Sequence, residues 1–165
     1  MSRRPLPGDV STVSIRRAGA DDAEPLAAVY RSAYRENRRL GFPAKAESAT
    51  PETVGEWIAE HEVHVATVDA EVVGGVRLEE VAPERVKLGR LAVRADCKGD
   101  GIGSRLLEHA ESVARNHGYA TVRLTTPEDH PYLPGFYRSH GYETTGEYPL
   151  EYREYDEVVM EKRVV

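Results

Sequence analysis

The chain has 165 residues, 40% of them hydrophobic and 30% charged, and 22 Lys and Arg against 28 Asp and Glu give a net charge of −6. That length suits one domain with its own core, and the mild acidity argues against a general nucleic-acid binder. No apolar run approaches the roughly 18 residues of a membrane span, the first residues lack the apolar stretch of a signal peptide, and a single cysteine, Cys97, excludes an internal disulfide and suits a reducing cytoplasm.

Residues 1–11 read as a flexible arm and 12–165 as a single domain. TVSIRR (12–17) alternates and predicts a first strand. DDAEPLAAVYRSAYRENRRLG follows as a helix. Asp21 is its expected cap, Glu24 completes a capping box, and Leu26, Val29, Tyr30 and Ala33 form the apolar stripe. Gly41 and Pro43 stop it. Thr50 caps a second helix with Pro51 at the first position, and Val54, Trp57 and Ile58 form its buried face. HVATVD and VVGGVRLEE predict a hairpin around Asp69–Ala70–Glu71, and RVKLGRLAVR a third strand in series. The glycine-rich CKGDGIGS (97–104) opens a helix with Ile102, Leu106, Ala110, Val113, Ala114 and His117 on one face, and Gly118 supplies a left-handed cap. ATVRLTT is a buried-type strand ended by Pro127. LPGFYRSHG is a short helix, and YETTGEYPL and DEVVMEKRV are final strands. The order β-α-α-β-β-β-α-β-α-β-β is mixed α/β (α+β) rather than a regular βαβ alternation.

Charge is uneven. Glu143, Glu147, Glu151, Glu154, Asp156 and Glu157 crowd the C-terminal strands against Arg153, whereas the first helix carries Arg31, Arg35, Arg38 and Arg39. Both patterns suit solvated faces. As hints about a ligand they conflict, the acids favouring a cation and the arginines an anion. His61 and His64 lack a third ligand, so no metal is expected. Cys97 reads as a bystander thiol, and His109 and His117 as structural or solvated. Tyr142, Tyr148, Tyr152 and Tyr155 suit strands by propensity, or could line a binding pocket.

The glycine loop carries the chemistry. A helix start offers unpaired N–H groups and about half a positive charge, and glycines let an anion reach them. No Gly-Lys-Ser or Gly-Lys-Thr follows, which excludes the nucleotide-triphosphate loop. The dinucleotide pattern G-x-G-x-x-G fails at Ser104 and lacks an acid after the next strand, where Thr125 and Thr126 stand.

A third phosphate loop, [QR]-x-x-G-x-[GA], is approximated by Lys98-Gly99-Asp100-Gly101-Ile102-Gly103. Together with the surrounding LGRLAVRADCKGDGIGSRLLEHAESVARNHGY and the later PGFYRSHGYE, it resembles the GNAT superfamily of N-acetyltransferases over roughly residues 12–163. The resemblance implies a central mixed, mostly antiparallel twisted sheet flanked by helices. It also implies acetyl-CoA as cosubstrate and an amine of a small molecule or peptide as acceptor, with direct attack in a ternary complex. It places the pantetheine arm on the backbone of Leu91, Ala92 and Val93, and the pyrophosphate on Lys98, Gly99, Asp100, Gly101, Ile102, Gly103 and Ser104. The Asp100 side chain is expected to point outward. Lys98 stands where the family has Gln or Arg. His130 stands where it often has an Asn that helps hold the arm. Tyr137 is the implied acid for the departing thiolate. A base is not marked, and Glu79 and Glu80, at the end of the neighbouring strand, are the side-chain candidates beside a water relay. A non-catalytic acyl-CoA sensor on the same fold is the alternative function. A cytoplasmic protein without membrane or nucleic-acid partners is expected, and a homodimer is the assembly common in the family.

Overall fold

The computed structural model describes residues 13–148 and 155–165; the expected arm at 1–11 and Tyr152 lie outside the described residues. The elements are β1 (Ser14–Arg17), α1 (Ala23–Arg39), α2 (Pro51–Glu60), β2 (Glu62–Val68), β3 (Glu71–Ala82), β4 (Arg85–Val93), α3 (Ile102–Asn116), β5 (Thr121–Pro127), α4 (Leu133–Ser139), β6 (Glu143–Tyr148) and β7 (Glu157–Arg163). This is the expected order. One seven-stranded sheet runs β1-β2-β3-β4-β5-β7-β6, antiparallel throughout except for β4 beside β5.

Local chemistry explains the ends. Thr50 Oγ1 accepts the Thr53 N–H at 3.2 Å, and Pro51 opens α2. Asp69 and Ala70 both take left-handed φ (52° and 64°) in the two-residue turn between β2 and β3, the backbone that twisted hairpins require. The start of α1 differs from expectation. Asp22, not Asp21, accepts the Gly19 N–H at 2.7 Å and holds the Arg16 guanidinium through two bonds of 2.7 and 2.9 Å. A carboxylate with a guanidinium partner can be buried, so Asp22 turns inward. His117 also departs from the helical stripe. It ends α3 as an exposed residue against Glu62 at 3.3 Å, and Gly118 takes the left-handed φ of 87°.

Each sheet face has its own core. Leu106, Leu107, Ala110 and Ala114 of α3 pack on Val76, Leu78, Val86, Leu88, Val122 and Leu124. Leu26, Val29, Tyr30 and Ala33 of α1 pack with Val54 of α2 on Val63, Val65, Val72 and Ala92. Burying each of these Val and Leu side chains is worth about 1.5–3 kcal/mol. Gly74 and Gly75 allow both helices to come close. A Cβ on Gly74 would lie 2.9 Å from Leu106 Cδ1, and one on Gly75 2.5 Å from Leu26 Cδ1. The buried Glu111 of α3 accepts the Tyr142 hydroxyl and the Lys162 ammonium, each at 2.9 Å.

Two irregularities in β4 position everything that follows. Gly75 pairs with Ala92 and Arg77 with Gly89, so one β3 residue faces two of β4, and Arg90 bulges out with φ 53°. Val86 and Leu88 face the α3 core before the bulge; after it Leu91 and Val93 do, while Ala92 turns to α1. The second irregularity is on the other edge. β4 pairs with β5 only from Arg85 to Lys87, opposite Thr121 to Arg123. Beyond that the two parallel strands separate.

Candidate active site

The gap between β4 and β5 opens into a cavity of about 910 Å³. Leu88 to Val93 form one wall and Leu124 to Pro127 the other. The N-terminus of α3 closes one end, α4 contributes Leu133, Phe136 and Tyr137, and α1 contributes Ala33, Tyr34, Glu36 and Asn37.

The glycine loop resolves into separate roles. Gly99 and Gly101 take φ of 86° and 79°, a region that costs other L-residues roughly 1–2 kcal/mol. Gly103 has no such demand. A Cβ there would make ordinary 3.8 Å contacts with Phe136 and Val93. The first intrahelical bond of α3 runs from the Arg105 N–H to Gly101 O at 3.2 Å. The N–H groups of Ile102, Gly103 and Ser104 therefore lack a helical acceptor. All three residues line the cavity, as do Cys97, Lys98, Gly99 and Gly101, while Asp100 does not. These donors, at the positive end of a 15-residue helix, suit the pyrophosphate of a CoA-type ligand. Lys98 is committed to Glu36 at 3.2 Å, and Ser104 Oγ lies 3.0 Å from His140 Nε2. Burial pushes the Cys97 thiol up, outweighing the Arg94 charge that lowers it, which argues against a reactive thiolate.

Tyr137 is 7% exposed, and its ring packs against Phe136 and Tyr142 with centroids 5.2 and 5.8 Å away. It lines the cavity. Burial raises the phenol's pKa, with the Tyr34 hydroxyl second, so it keeps its proton well past neutral pH.

Three expected site residues lie elsewhere. Glu79 faces His61 at 3.7 Å and Glu80 accepts the Tyr119 hydroxyl at 2.9 Å; neither lines the cavity. His130 is buried behind it. Its Nδ1 accepts the Tyr132 and Leu133 N–H groups at 3.3 and 3.2 Å, which caps α4, and its Nε2 lies 3.2 Å from Asn37 Oδ1. That pattern requires a neutral ring with the proton on Nε2. Burial, then the Lys98 charge, lowers its pKa to about 4. The α1 arginines are outside too. Arg31 donates to Ala49 O at 2.9 Å, Arg38 pairs with Glu47 at 3.5 Å, and Arg35 and Arg39 are exposed. His64 is held by His109 at 2.9 Å and Glu62 at 3.1 Å, and no metal-holding cluster occurs among the described residues.

The residues missed from sequence cluster at the opposite end from the glycine loop. Arg77, Lys87, Arg90 and Tyr34 line it, beside Tyr155, which the sequence offered as a possible pocket residue, and Glu157 of the acidic C-terminal run. Arg77 and Arg90 each hold their guanidinium carbon 5.1 Å from the Trp57 ring centroid. A signal for Arg90 was present. Apolar residues alternate at Val86 and Leu88, then slip by one to Leu91 and Val93, which is the trace of a bulge.

Residues 59–144 match the family model for the acetyltransferase (GNAT) domain. The human N-acetyltransferase 8B is 35% identical over 92 residues, 55% of this chain and 39% of that protein. The S-alkylcysteine N-acetyltransferase of Bacillus subtilis (strain 168) is 27% identical over 137 residues, 78% of this chain and 77% of that protein. Among solved structures, the PaiA N-acetyltransferase from Thermoplasma acidophilum in complex with coenzyme A superposes with a TM-score of 0.79, at 21% identity, over 92% of this chain and 98% of that one.

Proposed function

The chain belongs to the GNAT family of N-acetyltransferases, with acetyl-CoA as cosubstrate, and on that premise we propose that it moves the acetyl group to a primary amine by direct attack within a ternary complex. The observation that carries this reading is one continuous cavity. It runs from the unpaired α3 amides, along the β4 edge freed beyond Lys87, to the Tyr137 side chain.

Bound acetyl-CoA supplies an activated thioester, whose C–S bond breaks as the new C–N bond forms. The Ile102, Gly103 and Ser104 N–H groups hold the pyrophosphate. The backbone of Leu91, Ala92 and Val93, on the freed edge, orients the arm and directs a donor at the developing oxyanion. Tyr137 gives its Oη proton to the departing sulfur. Burial supports this role, because the phenol is protonated at every working pH. The acceptor must arrive as an ammonium ion and lose a proton before it attacks. We assign that proton to Glu157, which lines the cavity, rather than to Glu79 and Glu80, which lie away from it.

Thiol release from acetyl-CoA, measured across amines, polyamines, amino acids, aminoglycosides and peptides, tests the reading. Acceptor-dependent release is the expected result. Tight acetyl-CoA binding without release for any amine would refute transfer and leave an acyl-CoA sensor.

A further inference from the structure

We propose that the acceptor amine carries a carboxylate, held by Arg77 and Arg90 beside Trp57, so that the acceptor is a free amino acid or close analogue. The proposal rests on the acetyl-transfer reading and names the substrate class of that site.

The first argument is the charge of the cavity. Among the described residues its lining carries Arg77, Lys87, Arg90 and Lys98 against Glu36 and Glu157. Lys98 and Glu36 pair at 3.2 Å. That leaves Arg77, Lys87 and Arg90 in the described lining against one further carboxylate, Glu157. Arg77 and Arg90 make no ion pair with any described residue.

The second argument is the state of the two guanidiniums. Both lie 5.1 Å from one indole centroid, so two like charges are gathered at one half-buried place. Arg77 shows the cost, since burial and then the Arg90 charge push its pKa down. Arg90 Nε is buried and has no hydrogen-bond partner among the described residues. The backbone that presents Arg90 is itself strained, with a left-handed φ of 53°. Two like charges held together in a half-buried place are unfavourable, and the attraction of Glu79 for Arg77 offsets this only in part, since the Arg77 pKa still falls. A bound carboxylate would offset both charges through forked, charge-assisted bonds.

The third argument is placement. Arg77 pairs across the strands with Gly89, where an added Cβ would lie 3.9 Å from the Arg77 Nη2 atom, so no side chain covers the guanidinium there. Arg90 interacts with the Tyr34 hydroxyl, which in turn feels Tyr137 and Glu157. A carboxylate at the arginines would thus leave an amine a few bonds away near Tyr137 and Glu157. Polyamines and aminoglycosides would meet like charge.

Trp57 is the chain's single tryptophan, and its fluorescence reports binding at this place independently of turnover. With CoA saturating, the common amino acids, their amides, their decarboxylated amines and short peptides are titrated against Trp57 emission. The same panel is assayed for thiol release. At least one free amino acid should shift the emission, and should bind and react about tenfold or more better than its own amide and amine. Arg77→Gln and Arg90→Gln should collapse that preference towards one. Arg35→Gln, an exposed α1 arginine, should leave it intact. Arg77→Lys keeps the charge without the fork and should recover part of the preference.

Equal use of amino acid, amide and amine overturns the proposal and leaves acetyl transfer standing. A fluorescence signal silent to every free amino acid also overturns it. Carboxylate-dependent binding without thiol release has the opposite meaning, retaining the anion site and removing the transfer reaction.

Discussion

Replacing Tyr137 by Phe removes one oxygen and tests the proton donor. The hydroxyl makes no hydrogen bond with a described residue, so its loss leaves no orphaned partner. The ring remains held by Phe136 at 5.2 Å and Tyr142 at 5.8 Å. Stability should therefore change by less than about 1 kcal/mol, and acetyl-CoA affinity should hold. Turnover should fall by about 10²–10⁴, which at 1.36 kcal/mol per factor of ten is roughly 2.7–5.4 kcal/mol of barrier. Because burial raises the phenol's pKa, the wild type should show no alkaline loss of kcat from this group near pH 10. A thioester with a more acidic leaving group needs less help, so the variant's deficit should shrink with it. The assay is thiol release with a good acceptor, paired with calorimetric acetyl-CoA binding. Full turnover by a folded Tyr137→Phe variant would remove Tyr137 from the chemistry.

The remaining predictions concern the glycine loop and two buried polar groups. Gly103→Val should weaken acetyl-CoA binding, read by calorimetry, at least tenfold more than it weakens folding, because the first added carbon meets the protein only at 3.8 Å; undiminished affinity would mean that the anion binds elsewhere. Glu111→Ala leaves the Tyr142 hydroxyl and Lys162 without their acceptor and should cost about 3 kcal/mol in urea unfolding. His130 has a folded pKa near 4, below the unfolded value of about 6.5. Its contribution is present above pH 6.5 and is lost as pH falls towards 4, about 3 kcal/mol in all. The stability gap between wild type and His130→Gln should narrow over that window in denaturant titrations.

Much of the architecture was legible. Apolar spacing placed the four helices and seven strands, and cap residues fixed most ends, because each depends on a few neighbouring residues. Features joined by tertiary contact were not. Asp22, rather than Asp21, holds the turn into α1 through the Gly19 N–H because Arg16, on another element, makes its burial tolerable. Glu111 sits within an apolar helix stripe because Tyr142 and Lys162 arrive from elsewhere in the chain. The glycine loop was readable as an anion cradle, since its chemistry is contiguous. The far end of the cavity was not, because it joins Arg77, Arg90, Trp57 and Tyr34 from four elements. Arginines on α1 gave a false lead for the same reason. Helical spacing shows that they share a segment, whereas the fold turns them to Ala49, Glu47 and solvent.

The three-residue pairing of β4 with β5 has a mechanical consequence. The sheet behaves as two antiparallel leaves, β1 to β4 and β5 with β7 and β6, bound along a short spine. Anything wedged into the open end acts on that spine with leverage. The amides of Arg85–Lys87 and Thr121–Arg123 are then the sensitive gauge of how the leaves respond to a guest. Their hydrogen exchange should slow when a long ligand ties the two leaves together, even at Arg85, Val86 and Thr121–Arg123, which do not line the cavity.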